Sequence, residues 1–145
     1  MTMVAAILRH KGHEVIAITP AATIAEVAEV LRARRIGAVL VTDSLGQLLG
    51  IVSERDIVRS MAAHGAATLE RTAAQLMTRV VVTATPATTI PEAMHLMTEH
   101  RVRHIPVLEN GGLVGLVSIG DVVKARIMEQ EQEVDSLKAY IAGAA

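Results

Sequence analysis

The residues best suited to chemistry lie in a short element that occurs twice, Gly50-Ile51-Val52-Ser53-Glu54-Arg55-Asp56 and Gly115-Leu116-Val117-Ser118-Ile119-Gly120-Asp121. Each is an apolar run ending in Ser-x-x-Asp, the pattern of a strand passing into a helix. At such a junction the serine hydroxyl and the first free N–H groups of the helix point out of the strand end, where the helix dipole favours anions. A carboxylate three residues after the serine can accept hydrogen bonds from vicinal hydroxyls. Serine toward phosphate and aspartate toward ribose would together describe a nucleotide site. The same residues also make an ordinary capping box, in which the carboxylate satisfies the helix's own N–H groups. On these residues alone both readings stand.

Other chemistries find less support. Six histidines invite a metal, with His10-x-x-His13 the tightest pair and His100 four residues from His104. No acidic cluster joins them and H-E-x-x-H is absent, so no metal site is expected. Ser53 and Ser118 have no histidine partner suggested by spacing, and neither a nucleophile elbow nor a P-loop is present. No catalytic residue and no catalytic cofactor is expected, and the chain reads as non-enzymatic. It has no cysteine, which excludes disulfides, thiolate metal sites and thiol catalysis. The formal net charge is −1 with both signs interspersed; without a basic stripe, no nucleic-acid partner is expected. The N-terminus lacks a charged start followed by an apolar run, and no stretch approaches about 18 apolar residues. No membrane partner is expected, and the location expected is cytoplasmic.

The elements that must position the two junctions come from a duplication. Thr19-Pro20-Ala21-Ala22-Thr23-Ile24-Ala25-Glu26 recurs as Thr85-Pro86-Ala87-Thr88-Thr89-Ile90-Pro91-Glu92. Arg35-Ile36 then aligns with Arg101-Val102, and Ala38–Val41 with His104–Val107. One residue is lost in the following turn before the Ser-x-x-Asp elements align. Agreement at turn, cap and strand positions in the same order is not a chance match of two apolar runs.

Each copy reads as β-α-β-β-α. Val15–Ile18 and Val80–Thr83 are short β-branched runs expected as strands. Thr23 and Thr89 begin T-x-x-E capping boxes, with Pro91 in the first turn of the second helix. Behind the caps, Ile24, Val27, Ala28 and Leu31 fall at helical spacing, matched by Ile90, Ala93, Met94 and Met97. The methionines read as core filler. Strands Ala38–Thr42 and Leu48–Val52 flank Asp43-Ser44-Leu45-Gly46, and Ile105–Leu108 and Leu113–Val117 flank Glu109-Asn110-Gly111-Gly112, turn sequences in both cases. Ser53 and Ser118 open the last helix of each copy, carrying Ile57, Val58 and Met61 in one and Val122, Val123 and Ile127 in the other. The core has 51% hydrophobic residues to draw on but no Trp, no Phe and one Tyr, so it is packed from Val, Ile, Leu, Ala and Met. A unit this small exposes a sheet face unless a second copy covers it. The expected division is repeat 1 with its lead-in over 1–66, repeat 2 over 67–128 and a C-terminal amphipathic helix over 129–145, in one globular unit.

The order Thr19-Pro20, amphipathic helix, Ile36-Gly37-Ala38-Val39-Leu40-Val41, glycine turn and Gly50-Ile51-Val52-Ser53-Glu54-Arg55-Asp56-Ile57-Val58 resembles the CBS-domain pattern. It occurs twice, as in a Bateman module, and the resemblance runs from Val4 to Met128. Ile7-Leu8-Arg9-His10-Lys11-Gly12 and Leu137-Lys138-Ala139-Tyr140-Ile141-Ala142-Gly143 are similar to the ends of small bacterial proteins made only of a CBS pair. The resemblance implies an α/β fold of two repeats packed sheet to sheet about a pseudo-twofold axis. It also implies a sensor that binds an adenine nucleotide in clefts between the repeats and signals by conformational change. AMP, ADP, ATP or NAD(H) is the implied ligand, S-adenosylmethionine less so.

Carried onto this chain, the resemblance gives ribose to Asp56 and Asp121 and phosphate to Ser53 and Ser118. The adenine wall falls to Val15, Ile16, Ala38 and Val39 in one copy, and to Val81, Val82, Ile105 and Pro106 in the other. Lead-in segments reach toward the opposite repeat in the family, which adds Lys11, Gly12, Met77, Thr78 and Arg79. The copies differ: Arg103-His104 replaces Gly37-Ala38 and brings basic groups, whereas Arg55 beside Asp56 is replaced by Gly120. The two sites are therefore expected to be unequal. The family's habit of dimerising implies a homodimer that reports to a regulated protein. The segment Val123–Ile141, with Ile127, Val134, Leu137 and Ile141 among Glu, Gln and Lys, suits an amphipathic helix, either pairing or folded back on its own sheet. A structural or protein-interaction dimer without a nucleotide is the alternative reading.

Overall fold

The computed structural model describes residues 1–80 and 82–144 of the chain. In order, the elements are α1 (Val4–Lys11), β1 (Ala17–Ile18), α2 (Ile24–Arg34), β2 (Ala38–Thr42), β3 (Leu48–Ser53) and α3 (Glu54–His64), then a 3-10 turn at Gly65–Glu70, α4 (Ala73–Leu76) and β4 (Thr78–Arg79). The second half continues with α5 (Ile90–His100), β5 (His104–Glu109), β6 (Gly112–Ser118) and α6 (Ile119–Ala144). The fold is mixed α/β, and the chain divides into two compact units. One is Glu14–Val81; the other joins Met1–His13 to Val82–Ala145. The units therefore cut across the sequence repeats: the lead-in α1 belongs with the second repeat.

In the unit Glu14–Val81, a four-stranded sheet runs in the order β1-β2-β3-β4, with β1 parallel to β2 and the other pairs antiparallel. Ile24, Val27 and Leu31 of α2 pack with Val39 and Val41 of β2, Val52 of β3 and Ala73 of α4. In the other unit, β5 and β6 form an antiparallel pair, and Ala84 adds a single parallel bridge to Val107. Val4 and Leu8 of α1 enter its core with Ile90, Met97, Ile105 and Val117.

The duplication survives at the level of single pairings. Ile18 faces Val41 as Ala84 faces Val107, and Ala38 faces Ser53 as His104 faces Ser118. Both first helices stop on a left-handed arginine, Arg35 and Arg101, each at φ 54°. The turns close as their sequences require: Asp43 Oδ1 accepts from the N–H groups of Leu45 and Gln47, and Asn110 and Gly111 both take positive φ.

Several local expectations are corrected. Thr23 and Thr89 accept from the N–H of Glu26 and Glu92, but the Glu92 carboxylate takes the Thr89 hydroxyl rather than completing a reciprocal box. The strand expected over Val15–Ile18 is regular only at Ala17–Ile18. The expected strand Val80–Thr83 does not form among its described residues. Pairing falls instead on Thr78–Arg79 with β3 and on Ala84 with Val107. The chain passes from one unit to the other at 81–82, so no run there can stay on one ladder. Of the apolar residues that the last helices carry, Ile57 and Val122 are buried, whereas Val58, Met61, Val123 and Ile127 are exposed. Met97 is core, but Met94 is exposed. The expected C-terminal helix is present and is continuous with the last helix of the second repeat, since α6 runs unbroken for 26 residues. No helix among the described residues is long and apolar enough to cross a membrane.

The lead-ins are held at close quarters. A methyl added at Gly50 would lie 2.8 Å from the Thr78 carbonyl oxygen and 2.8 Å from Met77 Sδ. Gly50→Ala is expected to lower the urea-unfolding free energy by about 1–3 kcal/mol, since the strand carbonyl cannot swing aside as a side chain can. Gly112→Ala, whose methyl would meet only the Glu109 carbonyl at 3.5 Å, serves as control and should stay within about 0.5 kcal/mol of the parent. Equal losses in the two variants would mean that β4 is not held against β3 in this way.

Candidate functional site

At the first junction β3 passes directly into α3. Ser53 is extended (φ −112°, ψ 165°) and caps the helix, and its N–H and hydroxyl both donate to Asp56 Oδ2, at 2.8 and 2.9 Å. The Asp56 N–H returns a bond to Ser53 Oγ at 3.3 Å. The other carboxylate oxygen, Oδ1, accepts from the hydroxyl of Thr78 at 3.1 Å. Asp56 is thus a complete capping partner and also carries a neutral donor from the lead-in of the other repeat. Glu54 N–H, at the start of the helix, donates to the Gly37 carbonyl at 3.0 Å.

The second junction repeats the cap with a different visitor. Ser118 N–H donates to Asp121 Oδ2 at 2.8 Å, and Asp121 N–H to Ser118 Oγ at 3.1 Å. Ile119 N–H donates to the Arg103 carbonyl at 2.8 Å, as Glu54 does to Gly37. Here the lead-in supplies a cation: Lys11 Nζ lies 2.7 Å from Asp121 Oδ2 and 3.0 Å from the Leu116 carbonyl. Oδ1 of Asp121 accepts nothing from the described residues. Burial pushes the Asp121 carboxyl up, but the Lys11 hydrogen bond, the Ser118 bonds and the Lys11 charge outweigh it, leaving the group below its ordinary range.

The difference follows from helix length. Leu8 sits over Gly115 as Met77 sits over Gly50. α1 continues helical past Leu8 to Lys11 and ends at Gly12, which takes φ 100°. α4 ends at Leu76, and the chain turns extended into β4. A helical extension delivers a lysine; an extended one delivers a threonine.

The remaining candidates distribute as follows. Arg55 is exposed in the first turn of α3, Thr78 and Arg79 are exposed in β4, and Met77 is half-buried. Val15 and Ile16 are half-buried ahead of β1, and the Ile16 carbonyl accepts from Leu40 N–H. Ala38 is buried in β2, while Val39 and Val82 belong to the cores of their units. Ile105 and Pro106 are buried in β5, His104 is half-buried at its start and the Arg103 side chain is exposed. Val81 lies outside the described residues. The structure thus gathers Lys11, Ser118 and Asp121 at one junction, with Arg103 on its backbone, and Ser53, Asp56 and Thr78 at the other. Sequence reasoning placed Lys11 near a site but missed its ion pair, whose members are 110 residues apart. It also missed His13, whose ring Nδ1 lies 3.2 Å from the Val114 carbonyl. No group of three metal-ligating side chains occurs among the described residues.

Comparison with known proteins bears on this geometry. A family model described as CBS domain matches residues 4–63 and 73–127. A mitochondrial CBS domain-containing protein of Arabidopsis thaliana, CBSX3, is 38% identical over 125 residues, which cover 83% of this chain and 61% of that protein. The chain therefore spans under two thirds of that relative's length. The crystal structure of a CBS-domain containing protein from Agrobacterium tumefaciens matches with TM-score 0.83 and 47% identity, over 86% of this chain and 93% of that one. Two others hold ligands. A CBS domain protein from Pyrobaculum aerophilum, complexed with AMP, matches with TM-score 0.73 and 27% identity over 83% and 89% of the two chains. The CBS domain pair of protein MJ0100, with 5′-methylthioadenosine and S-adenosyl-L-methionine, matches with TM-score 0.75 and 26% identity over 86% and 98%.

The ion pair makes stability pH-dependent with a definite sign. A carboxyl lowered in the folded state is stabilising above the ordinary carboxylate range, and that stabilisation is lost as pH falls through the lowered value. The side chains of Lys11 and Asp121 are 39% and 24% exposed, which limits the pair to about 1 kcal/mol. Lys11→Met should therefore cost up to about 1 kcal/mol at pH 7, and the gap should close in acid. Urea midpoints across the pH range read this directly. A gap independent of pH would assign Lys11 to packing through its methylenes instead.

Proposed function

The chain belongs to the CBS-domain family, and from that premise we propose that it is a regulatory module that binds an adenine nucleotide at its two strand-to-helix junctions. The observation that carries this reading is the doubled carboxylate: Asp56 and Asp121 are each fixed at a helix N-terminus by the serine three residues before. Each also carries a donor from a lead-in segment. Two related proteins have been solved in complex with AMP, or with 5′-methylthioadenosine and S-adenosyl-L-methionine. What these compounds share is an adenosine moiety with its ribose hydroxyls, the group a fixed carboxylate is suited to accept from.

In this reading the ribose diol donates to Asp56 or Asp121. Ser53 and Ser118, with the helix N–H groups, face the phosphate side. The base lies along β-strand backbone near Val15, Ile16, Ala38 and Ile105. Lys11 and Arg103 make the second junction the more cationic, so a phosphate-rich ligand favours it over the first. Arg55 is next to Asp56 in sequence, and Arg79 is next to Thr78. At the first junction, a ribose hydroxyl replaces the neutral Thr78 hydroxyl on Oδ1. At the second it takes the open Oδ1 beside Lys11. Binding biases the conformational equilibrium by its differential affinity for two states, and a regulated protein reads the change in a homodimer.

Charge-assisted hydrogen bonds to a carboxylate contribute about 1.5–3 kcal/mol each, so Asp56→Ala and Asp121→Ala should each weaken their own site roughly 10- to 100-fold. Calorimetric titration with AMP, ATP, NADH and S-adenosylmethionine measures this. The melting temperature of the parent should rise with the ligand that binds. Parent-like binding by both variants would overturn the ribose assignment. Loss of folding in the absence of ligand would assign the carboxylates to capping alone, a distinction that Asp56→Asn and Asp121→Asn, which retain an oxygen acceptor, make measurable.

A further inference from the structure

The last helix carries a surface that nothing in its unit uses. Val122, Ala125, Arg126 and Glu129 form the side of α6 turned to the core of its unit, and Arg126 pairs there with Glu129 at 3.0 Å. From Gln130 onward every described side chain is exposed. That leaves about 20 Å of helix, at 1.5 Å per residue, without a partner in its own chain. A stretch this short is marginal as an isolated helix in water. The alternative of folding back on its own sheet is not the one observed.

The exposed side has a regular seam. Val123, Ile127, Gln130, Val134, Leu137 and Ile141 follow one another at intervals of four, three, four, three and four residues, the a/d spacing of a two-stranded coiled coil. The seam is distinct from the side packed on the core. Val134, Leu137 and Ile141 are 50–60% exposed, an apolar stripe unusual for a surface that stays in water. We propose that this seam pairs with the same seam of a second copy of the chain, as a parallel, in-register two-stranded coiled coil.

Three features select the occupant and the direction. Ile127, Val134 and Ile141 place a β-branched residue at each of these a positions, with Leu137 at d, the composition that favours two parallel strands. In register, Gln130 faces Gln130 of the second copy, and each amide has both a donor and an acceptor to offer the other. An antiparallel stagger would set that amide against an apolar residue. Finally, Glu133 at g lies opposite Lys138 at e of the other strand, twice by symmetry, so the flanks attract. The pairing supplies an interface for the homodimer of the proposed function but does not depend on nucleotide.

The chain has no cysteine, so a single introduced thiol reports proximity cleanly. In full-length protein without nucleotide, Ile141→Cys should convert rapidly to a disulfide-linked dimer under air with a copper–phenanthroline catalyst. Ser136→Cys, on the outer side of the same helix, should cross-link at least about tenfold more slowly, because its sulfurs cannot approach. Glu133→Lys should weaken dimerisation on the order of tenfold in sedimentation equilibrium, and adding Lys138→Glu should restore it. Equal cross-linking rates at positions 136 and 141, or a charge swap that fails to restore the dimer, would overturn the proposal. A nucleotide-binding protein that fails these tests would leave the sensor reading standing, and the reverse outcome would leave the coiled coil.

Discussion

Neither repeat closes its own core, and the rest of the structure follows from that constraint. The approach to α5 is completed by the start of the chain: Val4 and Ala5 N–H groups donate to the Thr88 and Pro86 carbonyls, and Ile90 N–H donates back to Thr2. The approach to α2 is completed by the middle of the chain through the same three bonds, from Ala73 to Ala22, Ala74 to Pro20 and Ile24 to Arg71. Each bond contributes about 1 kcal/mol net, and burying Val4 and Leu8 adds about 1.5–3 kcal/mol apiece. A repeat cut out with its own lead-in would lack the cover it needs. The exchange also delivers Lys11 and Thr78 to the two carboxylates, so the device that completes the cores sets the chemistry of the junctions.

In the proposed function, folding and binding share the same atoms at those junctions. A carboxylate that caps a helix has already lost its rotamer freedom, and a ligand that meets it finds the acceptor in place. The two junctions nonetheless present different replacements. Exchanging the Thr78 hydroxyl for a ribose hydroxyl substitutes one neutral donor for another. At Asp121 the ammonium lies on Oδ2 and no hydrogen bond from the described residues reaches Oδ1, so in the proposed function a ligand adds to the cation rather than displacing it. One repeated backbone thus presents two carboxylates with different partners, a lysine at one and a threonine at the other.

What the sequence made legible is what neighbouring residues decide. The duplication, both hairpins, the serine caps and the starts of the helices follow from side chains within a few positions of each other, and each lies where its residues indicate. Val80–Thr83 has the β-branched composition of a strand but sits where the chain leaves one unit for the other, and no local pattern encodes that crossing. The Lys11–Asp121 pair joins residues that only the exchange of lead-ins brings together. Whether the apolar side of the last helix pairs or folds back stayed open in the sequence for a related reason: apolar spacing marks a face, but which face meets the core depends on where the preceding strand ends.

One substitution between the repeats shows how small a change separates a closed helix from an extended one. α3 stops at Gly65, which takes φ 60° and caps the helix by donating its N–H to the Met61 carbonyl. With the one-residue deletion in the hairpin, the equivalent position in the second repeat is Gln130. A glycine reaches positive φ without steric cost, whereas a glutamine does not and is a good helix former. α6 therefore runs on through Gln130 instead of turning into a 3-10 segment, and its exposed apolar side continues past the turns that pack on the core. The two copies of this helix thus differ at that position, glycine in the first and glutamine in the second, and only the second extends into a surface that the described residues of its own chain do not cover.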